Sequence, residues 1–289
     1  SISAKDLKDV PLNSAAEALS GRLAGVQVSV SEGAPGADVD IFVRGRNSIT
    51  QSGSPLYVVD GVQVENALAI LSPQDIASID VLKDAASTAI YGARGSNGVV
   101  LITTKGGKNT GGKTTVTYNA FAGISQVAKE LDVMDPYNFV LYSYERAKYT
   151  ENVTDTSVLS QYIKRTNNYD TIASTYKNYP NQDWQKTVMG RNAFQMTHNL
   201  GISGGTAATQ YNLSLTLNKQ QGLLLNSDYL RKLVGFRFDH KVSDKLKIGF
   251  NVRYNEQKIT GAGTSDVGGA GSNRLRQFTR YRPLLLPGQ

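Results

Sequence analysis

Cysteine is absent from the 289 residues, and histidine occurs only at His198 and His240. This removes disulfide scaffolds, thiol nucleophiles and Cys-ligated zinc or iron–sulfur centres. It also leaves little material for a histidine-rich metal site or a His-dependent triad. No metal or other cofactor is expected. Long apolar runs are missing too. The longest, residues 67–71, falls far short of the roughly 20 residues a membrane-spanning helix needs. Charged residues are sparse at 19%, yet the apolar fraction of 40% is that of a folded chain rather than a disordered one. Ser1 opens the chain and no charged-then-apolar leader follows it, as expected of a mature chain or an excerpt of a longer one.

The net charge of +7 is unevenly spread. Residues 1–112 carry a balance of −2 and residues 113–289 a balance of +9. The basic residues are scattered through strand-like segments rather than gathered in a Lys/Arg block. The expectation is a basic polar face, not a nucleic-acid partner.

Two periodicities divide the chain. Up to residue 107 the apolar groups are short. Asn13 or Ser14 can cap a helix carrying Ala15, Ala18, Leu19 and Leu23, stopped at Gly25. Residues 26–30, 41–43, 56–59, 79–82 and 99–104 read as strands. Asp60-Gly61 is the favoured pair for a two-residue hairpin turn, with residues 62–64 returning. Ser72-Pro73-Gln74-Asp75 reads as a helix start with a capping box. Asp84 is placed to cap a second helix over 85–91, ended by Gly92.

From residue 111 strict alternation runs over about ten residues at a time. Val116, Tyr118, Ala120 and Ala122 share a face; so do Phe194, Met196, Leu200 and Ile202; Tyr211, Leu213, Leu215 and Leu217; Val234, Phe236 and Phe238; and Leu246, Ile248, Phe250, Val252 and Tyr254. The opposite faces are polar or charged. Such strands are longer than those of soluble sheets, and the pattern is that of a membrane β-barrel with lipid outside and water inside. A soluble β-sandwich also alternates, and His198 on the apolar face counts for it. The tight turns at 204–207 and 243–245 alternate with longer connections at 219–230 and 256–271, the outer-membrane arrangement. Residues 125–193 hold a predicted helix over 136–149 and are placed on the outer side. Five strands cannot close a barrel, since the smallest use about eight, and an open lipid-facing sheet would leave bare edges. The expectation is a piece of a larger protein.

The glycine cluster Gly92-Ala93-Arg94-Gly95-Ser96-Asn97-Gly98 follows a helix and opens a strand. That is the reverse of a dinucleotide loop, so it reads as a tight backbone passage. A soluble nucleotide-binding enzyme using this loop is the rival of another class. Arg44-Gly45-Arg46, Lys83-Asp84 and Arg94 lack a nucleophile or base at suggestive spacing. They read as ion pairs against a polar wall. Asp38, Asp40, Asp60, Asp75, Asp80 and Asp84 are too dispersed for a calcium loop, and Asn152-Val153-Thr154 is a chance glycosylation triplet.

Residues 56–62, LYVVDGV, and residues 75–105, DIASIDVLKDAASTAIYGARGSNGVVLITTK, resemble the plug motifs of TonB-dependent outer-membrane receptors, in wording closest to the SusC/RagA type. The resemblance covers about residues 7–107. Less specifically, 203–205 and 227–231 look like first barrel strands of that family. It implies an α+β plug over 1–107, a linker over 108–112, and antiparallel strands of an incomplete transmembrane β-barrel over 113–289. It further implies no enzymatic activity, a Gram-negative outer-membrane location, and active uptake of an oligosaccharide or peptide with the plug gating the lumen. The partners it implies are the TonB complex, whose contacting segment is not visible here, a SusD-like surface lipoprotein, and outer-membrane lipid. A signal-transducing receptor is the rival within the family. The plug-motif residues with a structural or gating role are Arg44, Gly45, Asp60, Gly61, Lys83, Asp84, Tyr91, Gly92, Arg94, Gly95, Asn97 and Gly98. The lumen-facing candidates are Arg237, Asp239, Asn251 and Arg253, and Arg237 or Arg253 is expected to approach a plug carboxylate.

Overall fold

The computed structural model describes residues 2–3, 19, 21–23, 25–30, 33–37, 39–43, 45, 53–65, 67–84, 88–149, 169–261 and 274–285. Most of the expected helix around 13–25, residues 85–87 of the one at 85–91, Arg44 and Arg46, the 152–154 triplet and the far part of the 256–271 connection lie outside these residues. The chain forms two compact units, Ser1–Ser125 with Ala193–Gly222 and Asn226–Gly263, and Gln126–Asn192 with Leu223–Leu225 and Thr264–Gln289.

The first unit holds three sheets. Short strands β1 (Ile2–Ser3), β4 (Leu56–Val59), β5 (Val62–Gln63), β6 (Ile76–Leu82) and β7 (Val99–Thr104) form one, in the order β1-β6-β7-β4-β5. Only β4 and β7 run parallel. β2 (Val26–Val30) and β3 (Val39–Val43) form a separate antiparallel pair. The core is made where the β-branched strands meet a short helix, α1 (Ala67–Ile70): Ile41, Val59, Ile76, Ile79, Val100 and Ile102 are at most 3% exposed. Between β4 and β5 the Asp60-Gly61 pair turns with positive φ at both residues, 49° and 89°, the two-residue turn that matches strand twist.

One helical expectation is corrected. Residues 72–75 make a single 3-10 turn, Pro73–Asp75, and no capping box. The Ser72 hydroxyl bonds Gln74 Oε1 instead, and the β-branched run from Ile76 draws the chain straight into β6. The described end of the second expected helix, 88–91, is helical and breaks at Gly92, with 89–91 in 3-10 form. Thr88 N–H bonds Asp84 C=O, and a 3-10 segment Ala89–Gly95 runs through a break at Gly92, φ 61° and ψ −152°.

The third sheet is a wall of five long strands: β8 (Thr114–Ser125), β9 (Ala193–Gly205), β10 (Thr209–Gln221), β11 (Asp228–Lys241) and β12 (Lys247–Thr260). They are antiparallel throughout and ordered as in the chain. The strands reach 12 to 14 residues. They therefore absorb much of the connections expected at 219–230 and 256–271. Residues 105–113 carry no regular element.

Register fixes the faces. Val116, Ile202, Leu213, Phe236 and Val252 lie in one cross-strand row, and Tyr118, Leu200, Leu215, Val234 and Tyr254 in the next. This face is bare, with Val116 at 62%, Val252 at 57% and Tyr254 at 58% exposure. The opposite face buries Thr197, Asn199, Ser214, Thr216, Asn218 and Arg231. The apolar band also crosses the sheet obliquely. It covers Val116 to Ile124 on β8 but Ile248 to Tyr254 on β12, a slip of about four to six residues over four strand steps. At about 3.3 Å per residue and 4.8 Å per strand, that is a tilt of about 35–45°, the range of membrane barrel strands. Above the band on β11 and β12 stands an exposed ion pair, Lys232 Nζ–Glu256 Oε2, 3.1 Å. His198 lies within the band, with Nδ1 2.6 Å from the Tyr118 hydroxyl, so that ring nitrogen has a hydrogen-bond partner.

The second unit comprises α2 (Pro136–Tyr149), as expected, and α3 (Tyr169–Tyr176), α4 (Trp184–Met189) and α5 (Arg274–Arg280), which periodicity did not reveal. Val140, Ile172, Tyr176 and Leu284 are its core. Segment 281–285 is held by Trp184 Nε1 donating to Arg282 C=O at 2.7 Å and Tyr179 hydroxyl to Leu285 C=O at 2.6 Å.

Candidate functional site: the polar seam between the two large sheets

The buried polar face of the wall lies against the short-stranded domain, and one hairpin tip gathers the contacts. Asp60 is held at the end of β4 by its tight turn. Its Oδ1 accepts from Thr104 N–H at 2.9 Å and its Oδ2 from the Thr104 hydroxyl at 2.6 Å, both at the end of β7. Three wall side chains then close on the same carboxylate. Arg253 Nη2 lies 2.7 Å from Oδ2, Asn251 Nδ2 2.9 Å from Oδ2, and Arg237 Nη1 3.5 Å from Oδ1. Asp239 pairs with Arg237 Nε at 2.9 Å and orients it. The period of two along β11 and β12 puts these groups on one face. Burial pushes the Asp60 carboxyl up. The Thr104 hydroxyl and N–H and the Arg253 charge outweigh it, and hold the pKa below the ordinary aspartate value.

A second set of contacts is one that sequence reasoning did not identify. Asp75 leaves its 3-10 turn to accept a hydrogen bond from Ser214 Oγ of β10. Asn212 Nδ2 donates to Lys105 C=O at 2.9 Å. Farther along, Tyr229 of β11 packs on Gly36, where φ is +74° and an added Cβ would collide with the ring. Ser214 and Asn212 were legible as members of a polar face; nothing local marks Asp75.

The remaining motif residues are placed within the short-stranded domain. Arg94 Nη1 donates to Gln63 Oε1 at 3.3 Å rather than reaching the wall. Lys83 lies alongside Gly25. Gly45 has φ +89°. Asp84 supplies its carbonyl to Thr88. Tyr91 and Asn97 are half-buried and Gly95 is buried. Gly98 carries the chain past Val43 at φ +92°, and a Cβ there would sit 2.9 Å from Val43 Cβ. Among the described residues no group of three His, Asp or Glu is placed to hold a metal ion. No helix of the described residues is long and apolar enough to cross a membrane.

Comparison with known proteins agrees with this arrangement. The TonB-dependent Receptor Plug Domain family matches residues 1–99. TonB-dependent receptor P26 of Formosa agariphila is 36% identical over 258 residues, 88% of this chain and 24% of that protein. TonB-dependent receptor SusC of Bacteroides thetaiotaomicron is 31% identical over 266 residues, 89% of this chain and 24% of that protein. The RagAB peptide importer in its closed-closed state superposes with a TM-score of 0.73 at 29% identity, over 90% of this chain and 30% of that one. The chain thus spans about a quarter of the length of these curated relatives, which are receptors and not enzymes.

Proposed function

We propose, since the chain belongs to the TonB-dependent receptors of the SusC/RagA type, that it supplies the plug and the opening strands of an outer-membrane active transporter. In this reading residues 1–107 are the plug, 108–112 the linker, and 113–289 the start of the barrel with its first outer connections. The plug closes the lumen until a pull from the TonB complex frees it. The cargo is a nutrient oligosaccharide or peptide, and a SusD-like surface lipoprotein is the partner on the outer side. SusC and the RagAB peptide importer, as similar proteins, motivate both choices.

The observation that carries the reading is the Asp60 clamp. A plug hairpin tip is fastened by three side chains from two adjacent wall strands, and the same face of the wall buries Thr197, Asn199, Ser214, Thr216 and Asn218. The lumen of a blocked barrel has this character. In the full-length receptor, Asp60→Ala and Arg253→Ala should let a bulky, normally excluded antibiotic into cells lacking TonB. An unchanged barrier in both variants would remove the clamp from the gating role.

A further inference from the structure

The plug–wall seam contains a second carboxylate whose surroundings differ from those of Asp60. Asp75 is partly buried, and its hydrogen-bond donors are neutral: Ser214 Oγ of β10 and the Asn199 amide of β9. Asn199 is itself tied to Thr216 Oγ1 at 2.7 Å, so this corner belongs to a fixed network of the wall. The charged groups that face Asp75 are Lys105 of the plug and Arg253 of β12, with Arg237 of β11 across a shared cavity. Asp60 and Asp239 lie behind those arginines. The cations have hydrogen-bond partners elsewhere. Arg253 Nη2 is on Asp60 and on Thr104 Oγ1 at 2.9 Å, Arg237 is on Asp60 and Asp239, and Lys105 Nζ is on Gln74 C=O at 2.5 Å. A carboxylate largely withdrawn from water and given only neutral donors is under-compensated when ionised.

Water has a way in. Gly235 interrupts the row Ser214–Gly235–Arg253. A Cβ added there would find a single neighbour within 4 Å, Ser214 Cβ at 4.0 Å. The gap belongs to a cavity of about 30 Å³ lined by Asp75, Lys105, Ser214, Arg237 and Arg253 among others, room for about one water among polar partners.

We propose that Asp75 is a proton-controlled fastener between plug and wall, separate from the Asp60 clamp, and that it grips harder when its carboxyl takes up a proton through the Gly235 gap. The inference rests on the plug-in-barrel reading above. Burial pushes the Asp75 carboxyl up by more than Ser214, Lys105, Asn199 and Arg253 pull it down. In a freed, hydrated plug the same group titrates near the ordinary value of about 3.9. The docked plug therefore binds the proton more tightly. Docking strengthens as pH falls from neutral through the raised docked value and levels off below about 3.9. Asp60, held low, has the opposite sign, and its contribution fades only as pH falls below about 3.9. The two windows are separate, so mild acid tightens the seam before stronger acid loosens it.

The test uses the full-length receptor in detergent. Leu233→Cys places a thiol on the wall face, at a position 4% exposed beneath the plug, and this chain has no other. Labelling by 4,4′-dithiodipyridine, which reacts in acid as well as at neutral pH, is followed against urea at pH 7.5 and pH 5. The urea midpoint should rise on acidification in the parent. It should be higher at pH 7.5 and independent of pH in Asp75→Asn. Asp60→Asn should lower the midpoint while keeping the pH response. A parent midpoint that is flat or falls towards pH 5, or the same response in Asp75→Asn as in the parent, overturns the proposal. Rapid labelling without urea would instead sink the plug-in-barrel reading. Should Asp75→Asn fail to assemble, Ser214→Ala offers a second route. Infrared titration should then show a carboxyl protonating above the ordinary aspartate range in the parent and displaced further upward in Ser214→Ala. The absence of such a carboxyl in the parent also overturns the proposal.

Discussion

The plug sheet and the strand wall are built inside out relative to each other. In the plug Ile76, Ile79, Val100 and Ile102 are sealed in and polar groups face outward. In the wall Asn199, Ser214, Thr216 and Asn218 are sealed in, while Val116, Ile248, Phe250 and Val252 stand about half exposed or more. Both regions use the same two-residue alternation. What differs is the medium each outer face meets. A wall that buries its amides and hydroxyls and bares its phenylalanines is at a free-energy minimum only against hydrocarbon.

That contrast can be broken most severely in the plug. Gly98→Val combines a left-handed φ with a Cβ placed 2.9 Å from Val43. It should cost about 3 kcal/mol or more and release the plug from its core, read as protease sensitivity of residues 1–107 in the assembled receptor. Ile102→Ala, at 1% exposure, should cost about 2–5 kcal/mol through the cavity it leaves, measured by urea unfolding of the plug.

On the wall the signs invert. Phe250→Arg should cost about 2–4 kcal/mol near the bilayer midplane and reduce assembled receptor in outer membranes. Asn251→Ser, one residue away and facing the plug, should leave assembly untouched while weakening the clamp. Equal losses in both would mean the face assignment is wrong.

Across the seam, Arg253→Met leaves the partly buried Asp60 with a lost charge partner and should cost about 1–3 kcal/mol of docking, measured as earlier plug release in urea. The effect should shrink below about pH 4 as Asp60 protonates and its hold is lost in any case. The smallest effect is expected at Lys232–Glu256, each side chain about half exposed. Lys232→Ala should change stability by less than about 1 kcal/mol, checked by thermal denaturation in lipid.

Much of this was legible before any fold was known. The faces of β8 to β12 follow from alternation alone, because a one-residue slip would turn Arg237 and Arg253 into the lipid. The Asp60-Gly61 turn was legible because a two-residue turn between twisted strands has few residue solutions. The approach of an arginine to a plug carboxylate was expected from opposite charge balances, although which carboxylate it meets was not. The helical reading at 72–75 failed for a local reason. Capping-box chemistry is weak, and at residue 76 it competes with a β-branched run that completes the plug core.

The sequence by itself determined the apolar and polar faces of the long strands and the turn that presents Asp60, features set by neighbours within a few residues. Tertiary structure alone decided that Asp60 meets Arg253, 193 residues away, and that Asp75 meets Ser214, 139 residues away. It also decided that these two carboxylates are driven in opposite directions. Charge compensation depends on which donors reach a buried oxygen and which are already engaged, and that is settled only when two sheets distant in sequence are laid face to face.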